Sequence, residues 1–133
     1  MPDIKAESKQ LYDKLVRNDK YIVLSNSFSG HTNTIDLNLS ARKSNIPLSE
    51  YQIIEINDST KHITNNILLY TEILKNASEI HCVPTSIFCL TDILNEQIPG
   101  DLYYHNIRGG TVLRVNNQWN NDRWTKVEYD YRL

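Results

Sequence analysis

Apolar positions in this chain alternate between short unbroken runs and three- to four-residue spacing. Tyr21-Ile-Val-Leu24, Tyr51–Ile56, Glu79–Val83 and Leu102–His105 have the length and density of strands. Between them the period lengthens. Ile4, Leu11 and Leu15, with Ser8 and Tyr12 on the same face, predict a helix over residues 4–17, ended by Asn18-Asp19. Ile63, Ile67, Tyr70, Leu74 and Ala77 predict the best amphipathic helix of the chain. Ser86–Asn95, with Ile87, Leu90, Ile93 and Leu94 apolar, predicts another, broken by Pro99-Gly100. Arg108-Gly-Gly110 reads as a turn into Thr111–Val115, and Thr125–Tyr131 alternates like an edge strand. Strands alternating with helices predict an α/β fold. The expected form is a Rossmann-like three-layer sandwich, with a mainly parallel sheet, helices on both faces, and room for antiparallel strands at the C-terminal edge.

Length and charge narrow the picture. A chain of 133 residues is read as one domain, 1–133, with a single core. Apolar content of 40% and charged content of 23% are those of a soluble globular protein. A net charge of −2 with scattered basic residues excludes a general pull on nucleic acid or anionic membrane. No apolar run approaches the roughly 20 residues of a membrane span. The start, Met-Pro-Asp-Ile-Lys-Ala-Glu-Ser, lacks the pattern of a secretory signal. A cytoplasmic protein is therefore expected, or a virion component if the source is viral. The lean toward Asn, Ile, Lys and Tyr points to an A/T-rich viral or bacterial genome. Cys82 and Cys89 read as reduced core thiols.

The strongest chemical signal is where the third strand hands over to a helix. Thr85 and Ser86 put two hydroxyls and the first amides of that helix at a strand's carboxyl end, where open α/β sheets bind ligands and helix amino termini favour phosphate. N-capping alone and capping plus a phosphate contact both fit these residues. The polar loop after the first strand, with Ser27, Ser29, Gly30 and His31, is a second candidate phosphate cradle. Arg108 is a candidate anion contact, or a solvated turn residue. His81, mid-strand, reads first as a satisfied sheet-face histidine and second as a ligand contact. His62 and His105 have no carboxylate or cysteine at metal spacing. No dinucleotide fingerprint, P-loop or serine nucleophile elbow is present, and no cofactor is expected.

Several of these residues also form a recognisable motif. Tyr70, Ile73, Asn76-Ala77, Glu79-Ile80-His81, Val83, Ser86, Leu90 and Asp92 stand as in a motif of glycosyltransferases of the two-domain GT-B type. There the motif lies in the carboxyl-terminal Rossmann-like domain, which holds the nucleotide-sugar donor. Tyr21-Ile-Val-Leu24 resembles that family's opening strand, Leu102-Tyr-Tyr-His105 with Arg108 its late strand, and Trp124 its closing tryptophan. The resemblance spans roughly residues 7–127 and is specific around the central motif.

Three departures accompany it. Pro84-Thr85-Ser86-Ile87 replaces Asp-Ser-Ser-Phe, so an acidic residue and an aromatic are gone while both hydroxyls survive. Ser29-Gly30-His31 lacks the arginine that relatives often carry beside the glycine. The acceptor-binding domain has no counterpart. The resemblance therefore implies a domain that binds a nucleotide-diphosphate-sugar and transfers nothing without a partner domain. The other expectation is a non-enzymatic structural or interaction protein, an oligomer subunit or viral particle component, that reuses the half-fold.

Overall fold

The computed structural model describes residues 4–28, 31–32, 37, 46–56, 66–83, 86–106 and 123–128. Its strands are β1 (Tyr21–Ser25), β2 (Ser27–Phe28), β3 (His31–Thr32), β4 (Gln52–Ile56), β5 (Glu79–Cys82), β6 (Asp101–Asn106) and β7 (Trp124–Glu128). Its helices are α1 (Ile4–Leu15), α2 (Thr71–Asn76) and α3 (Ser86–Ile93). Five strands form one sheet in the order β4-β1-β5-β6-β7, and every pairing in it is parallel. The α/β expectation holds, and the C-terminal edge strand is parallel where antiparallel strands had room. Hydrogen bonding of Trp124–Glu128 along Leu102–Asn106 continues the same crossover pattern to the edge.

The two faces of the sheet differ in chemistry. Tyr21 and Val23 of β1, Ile54 and Ile56 of β4, Ile80 and Cys82 of β5, Leu102 and Tyr104 of β6 and Trp124 of β7 form one continuous core with Leu11, Ile73, Leu74, Ile87, Phe88 and Leu90 of the three helices. Phe88 stacks on Trp124 at 4.6 Å and meets Tyr104 edge-on at 5.5 Å. The Trp124 indole donates to Asp92 Oδ1 at 2.9 Å, so the last strand is tied to α3 by packing and by a buried polar bond. On the opposite face Ile22, Leu24 and Tyr51 pack with Leu37, Ile46 and Leu48.

Two expected helices are rebuilt at their ends. The described part of the 63–77 segment begins as a 3₁₀ turn, Ile67–Tyr70, before α2 starts. Asn66 caps that turn by accepting from the Leu68 amide, and the Thr71 hydroxyl donates back to the Leu68 carbonyl at 2.7 Å. The segment after Ile93 likewise tightens into a 3₁₀ turn, Asn95–Gln97. Residues 57–65 and the expected strand Thr111–Val115 lie outside the described residues. Of the two thiols, Cys82 is buried and Cys89 is exposed, which corrects the expectation of a second core thiol. The reason is helical phase. Ile87, Leu90 and Thr91 take the inward stripe of α3, and Cys89 with Ile93 takes the outward one.

Candidate functional site

The chain turns from β1 toward β4 on one side of the sheet and from β5 toward β6 and β7 on the other. β1 and β5 are neighbours, in register from Ile22↔Glu79 to Ser25↔Cys82. Their shared carboxyl end is therefore the topological switch point, the place at which open α/β sheets bind ligands. The Val83 amide donates to the Ser25 carbonyl at 3.0 Å and carries the pairing one step past the strands. Ser25 and Asn26 are buried there, and the Asn26 side-chain amide reaches Glu55 Oε1 of β4 at 3.2 Å. The backbone of Ser86, first residue of α3, starts three positions after Val83.

The two sequence-derived phosphate candidates thus follow adjacent strands at the same edge of the sheet. The described residues of the polar segment after β1 form a short ribbon. β2 pairs antiparallel with β3, Ser27 opposite Thr32 and Phe28 opposite His31. Ser29, Gly30, Thr85 and Arg108 lie outside the described residues. For Ser27, His31 and Ser86 the backbone is described.

His81 is the penultimate residue of β5, one position short of that edge. It is fully buried on the face opposite α1–α3, with its ring parallel to Tyr103 at 4.5 Å and 6°. Its Nε2 is 2.9 Å from Glu79 Oε1, and its Nδ1 is 2.7 Å from His105 Nε2. Period-two alternation puts Glu79 and His81 on one face of β5, and the register His81↔Tyr103 puts Tyr103 and His105 on the same face of β6. Burial together with the neighbouring His81 lowers His105 to about 3, so its imidazole is neutral near pH 7. Burial also pushes the Cys82 thiol up, which leaves it inert as a thiolate.

This polar array was not visible as a unit in the sequence. Glu79-Ile80-His81 and Tyr103-Tyr104-His105 were separate motifs, and only strand register brings them together. The available signal was the matching spacing, two polar groups at i and i+2 in one strand and a third in another. Asp92, part of the central motif, turns out to hold the Trp124 indole. Among the described residues no group of three His, Cys, Asp or Glu is arranged to hold a metal ion. In the array the polar atoms are turned toward one another. Nor is any described helix long and apolar enough to cross a membrane. No protein-family model, curated protein or solved structure matches this chain significantly.

Proposed function

We propose that this chain is a glycosyltransferase-like domain that binds a nucleotide-diphosphate-sugar at the carboxyl edge shared by β1 and β5, and that transfer requires an acceptor-binding partner. The supporting observation is the switch point. In an all-parallel sheet of this order the ligand crevice is expected at the carboxyl end of β1 and β5, which the residues after β1 and the amino end of α3 follow in the chain. Fixed amides there suit a diphosphate, and Thr85, Ser86, Ser27, Ser29, Gly30, His31 and Arg108 are the side chains assigned to it on sequence grounds. Calorimetric titration with UDP, GDP and their sugars tests the reading. Binding heat for one base over the other is expected; no heat and no thermal shift at millimolar ligand would remove it.

A second reading has its own observation. Ile93 is 76% exposed and shares the outer stripe of α3 with exposed Cys89, while Leu68 on the preceding 3₁₀ turn is 46% exposed. Exposed large apolar side chains mark an interaction surface where they form one patch. In this reading the chain is an oligomer subunit or interaction protein. Light scattering separates the two: a defined oligomer without nucleotide affinity supports this reading, and a monomer that binds nucleotide excludes it.

A further inference from the structure

Glu79, His81 and His105 are joined end to end by bonds of 2.9 and 2.7 Å, and none is more than 1% exposed. Two imidazoles that face each other through ring nitrogens must share one proton, so with the carboxylate ionised and His105 neutral only two arrangements satisfy both bonds. In the first, neutral His81 donates from Nε2 to Glu79 and accepts at Nδ1 from the Nε2–H of His105. The Nδ1 of His105 is then an acceptor. In the second, one proton richer, cationic His81 donates in both directions. His105, still neutral, accepts at Nε2 and carries its proton on Nδ1. The two differ by a proton that enters at His105 and a charge that appears on His81.

We propose that Glu79, His81 and His105 form a buried one-proton relay, loaded at His105 Nδ1 with its charge held on His81, and that a diphosphate-bearing anion in the β1/β5 crevice draws the proton in. The geometry runs the right way. His105 stands one residue beyond the level of Cys82, toward the carboxyl edge, and Glu79 lies at the far end. Empty, the relay carries one negative charge beneath the crevice; loaded, it is neutral, so an anion above favours the loaded form. The resistance of His105 itself to protonation leaves His81, beside the carboxylate, as the seat of the charge. From the flanking described strands the same face presents Ile22 and Leu24 of β1, Glu55 of β4, Asp101 and Tyr103 of β6, and Thr125 and Val127 of β7. Two of these are acidic and none is cationic, which again favours uptake. The anion-linked part rests on the function proposed above, whereas the relay stands without it.

Histidine-selective ¹⁵N spectra of the full chain, from about pH 8 to about pH 5, read the relay directly. One step is expected, in which His81 becomes doubly protonated while His105 exchanges its Nε2–H for an Nδ1–H. A His105 that keeps its tautomer throughout, or that becomes the cation, overturns the relay. Glu79→Gln should move the step down by at least about one pH unit, a tenfold loss of proton affinity. An unmoved step removes Glu79 from the relay, and if the variant does not fold the wild-type spectra decide. The link to the crevice is read by titrating UDP-glucose in two buffers of different ionisation heat. Its diphosphate is a diester without a proton to exchange near neutrality, so uptake of up to about one proton per ligand belongs to the protein. Binding without uptake overturns the link. Absence of binding removes the diphosphate reading of the crevice and its link, and the relay is then judged on the spectra alone.

Discussion

Tyr21 does two jobs with one side chain. Its ring fills the core between α1 and β1, edge-on to Tyr12 at 6.4 Å, and its hydroxyl donates to the Ile73 carbonyl at 2.5 Å. That carbonyl belongs to the last turn of α2, and the Ala77 amide that would otherwise reach it bonds Leu74 instead. Tyr21→Phe therefore keeps the packing and leaves a buried acceptor without its donor. A loss of about 1–2 kcal/mol is expected from urea unfolding, with an unchanged slope. Gly100 is constrained differently. A Cβ there would press on the Ala77 carbonyl and come within 2.7 Å of the Ser78 carbonyl oxygen. The close approach aligns the start of β6, whose Asp101 amide bonds the Ser78 carbonyl at 3.1 Å. Gly100→Ala should lower stability by about 1–3 kcal/mol, seen as a lower urea midpoint. In the sequence Pro99-Gly100 reads only as a helix stop; the close approach depends on a neighbour more than twenty residues earlier.

At the scale of elements, the joints are made by side chains from one element closing the ends of another. Ser8 of α1 accepts from the Glu72 amide at 2.9 Å and so caps the first turn of α2 from outside. Gln52, first residue of β4, accepts from the amides of Arg17 and Asn18 and donates to the Leu15 carbonyl at 2.8 Å, fastening the end of α1 to the sheet. Gln52→Ala removes all three bonds at a half-buried site. An expected loss of about 1–2 kcal/mol, with faster amide exchange confined to the last turn of α1, distinguishes this joint from a general loosening. Element identity was legible because strands buried on both faces read as unbroken apolar runs and helices as three- to four-residue periods. The joints were not. Ser8 and Gln52 look like ordinary surface residues until the fold delivers their partners. The direction of β7 was equally hidden, since alternation in Thr125–Tyr131 is the same for parallel and antiparallel pairing.

For the molecule as a whole, the buried array makes stability depend on pH with a definite sign. The folded chain holds His105 down to about 3, while in the unfolded chain a histidine takes its proton near 6.5. Above about 6.5 both states leave it neutral, and it contributes nothing to the pH dependence. Below about 6.5 the unfolded state binds a proton that the folded state refuses, so stability falls as pH falls, by about 1.4 kcal/mol per unit, until about 3. Between pH 7 and about 5 the expected loss is about 2 kcal/mol, before most carboxylates begin to protonate. His105→Gln keeps a side chain that can donate and accept in the same place, yet removes the titration. Its absolute stability will be lower, but its slope over that range should shrink to less than about 0.5 kcal/mol per unit. Urea unfolding of both chains at pH 7, 6 and 5 measures the difference. Parallel slopes in the two proteins would mean that the acid sensitivity arises elsewhere, and that His105 sits in the sheet as one more packed ring.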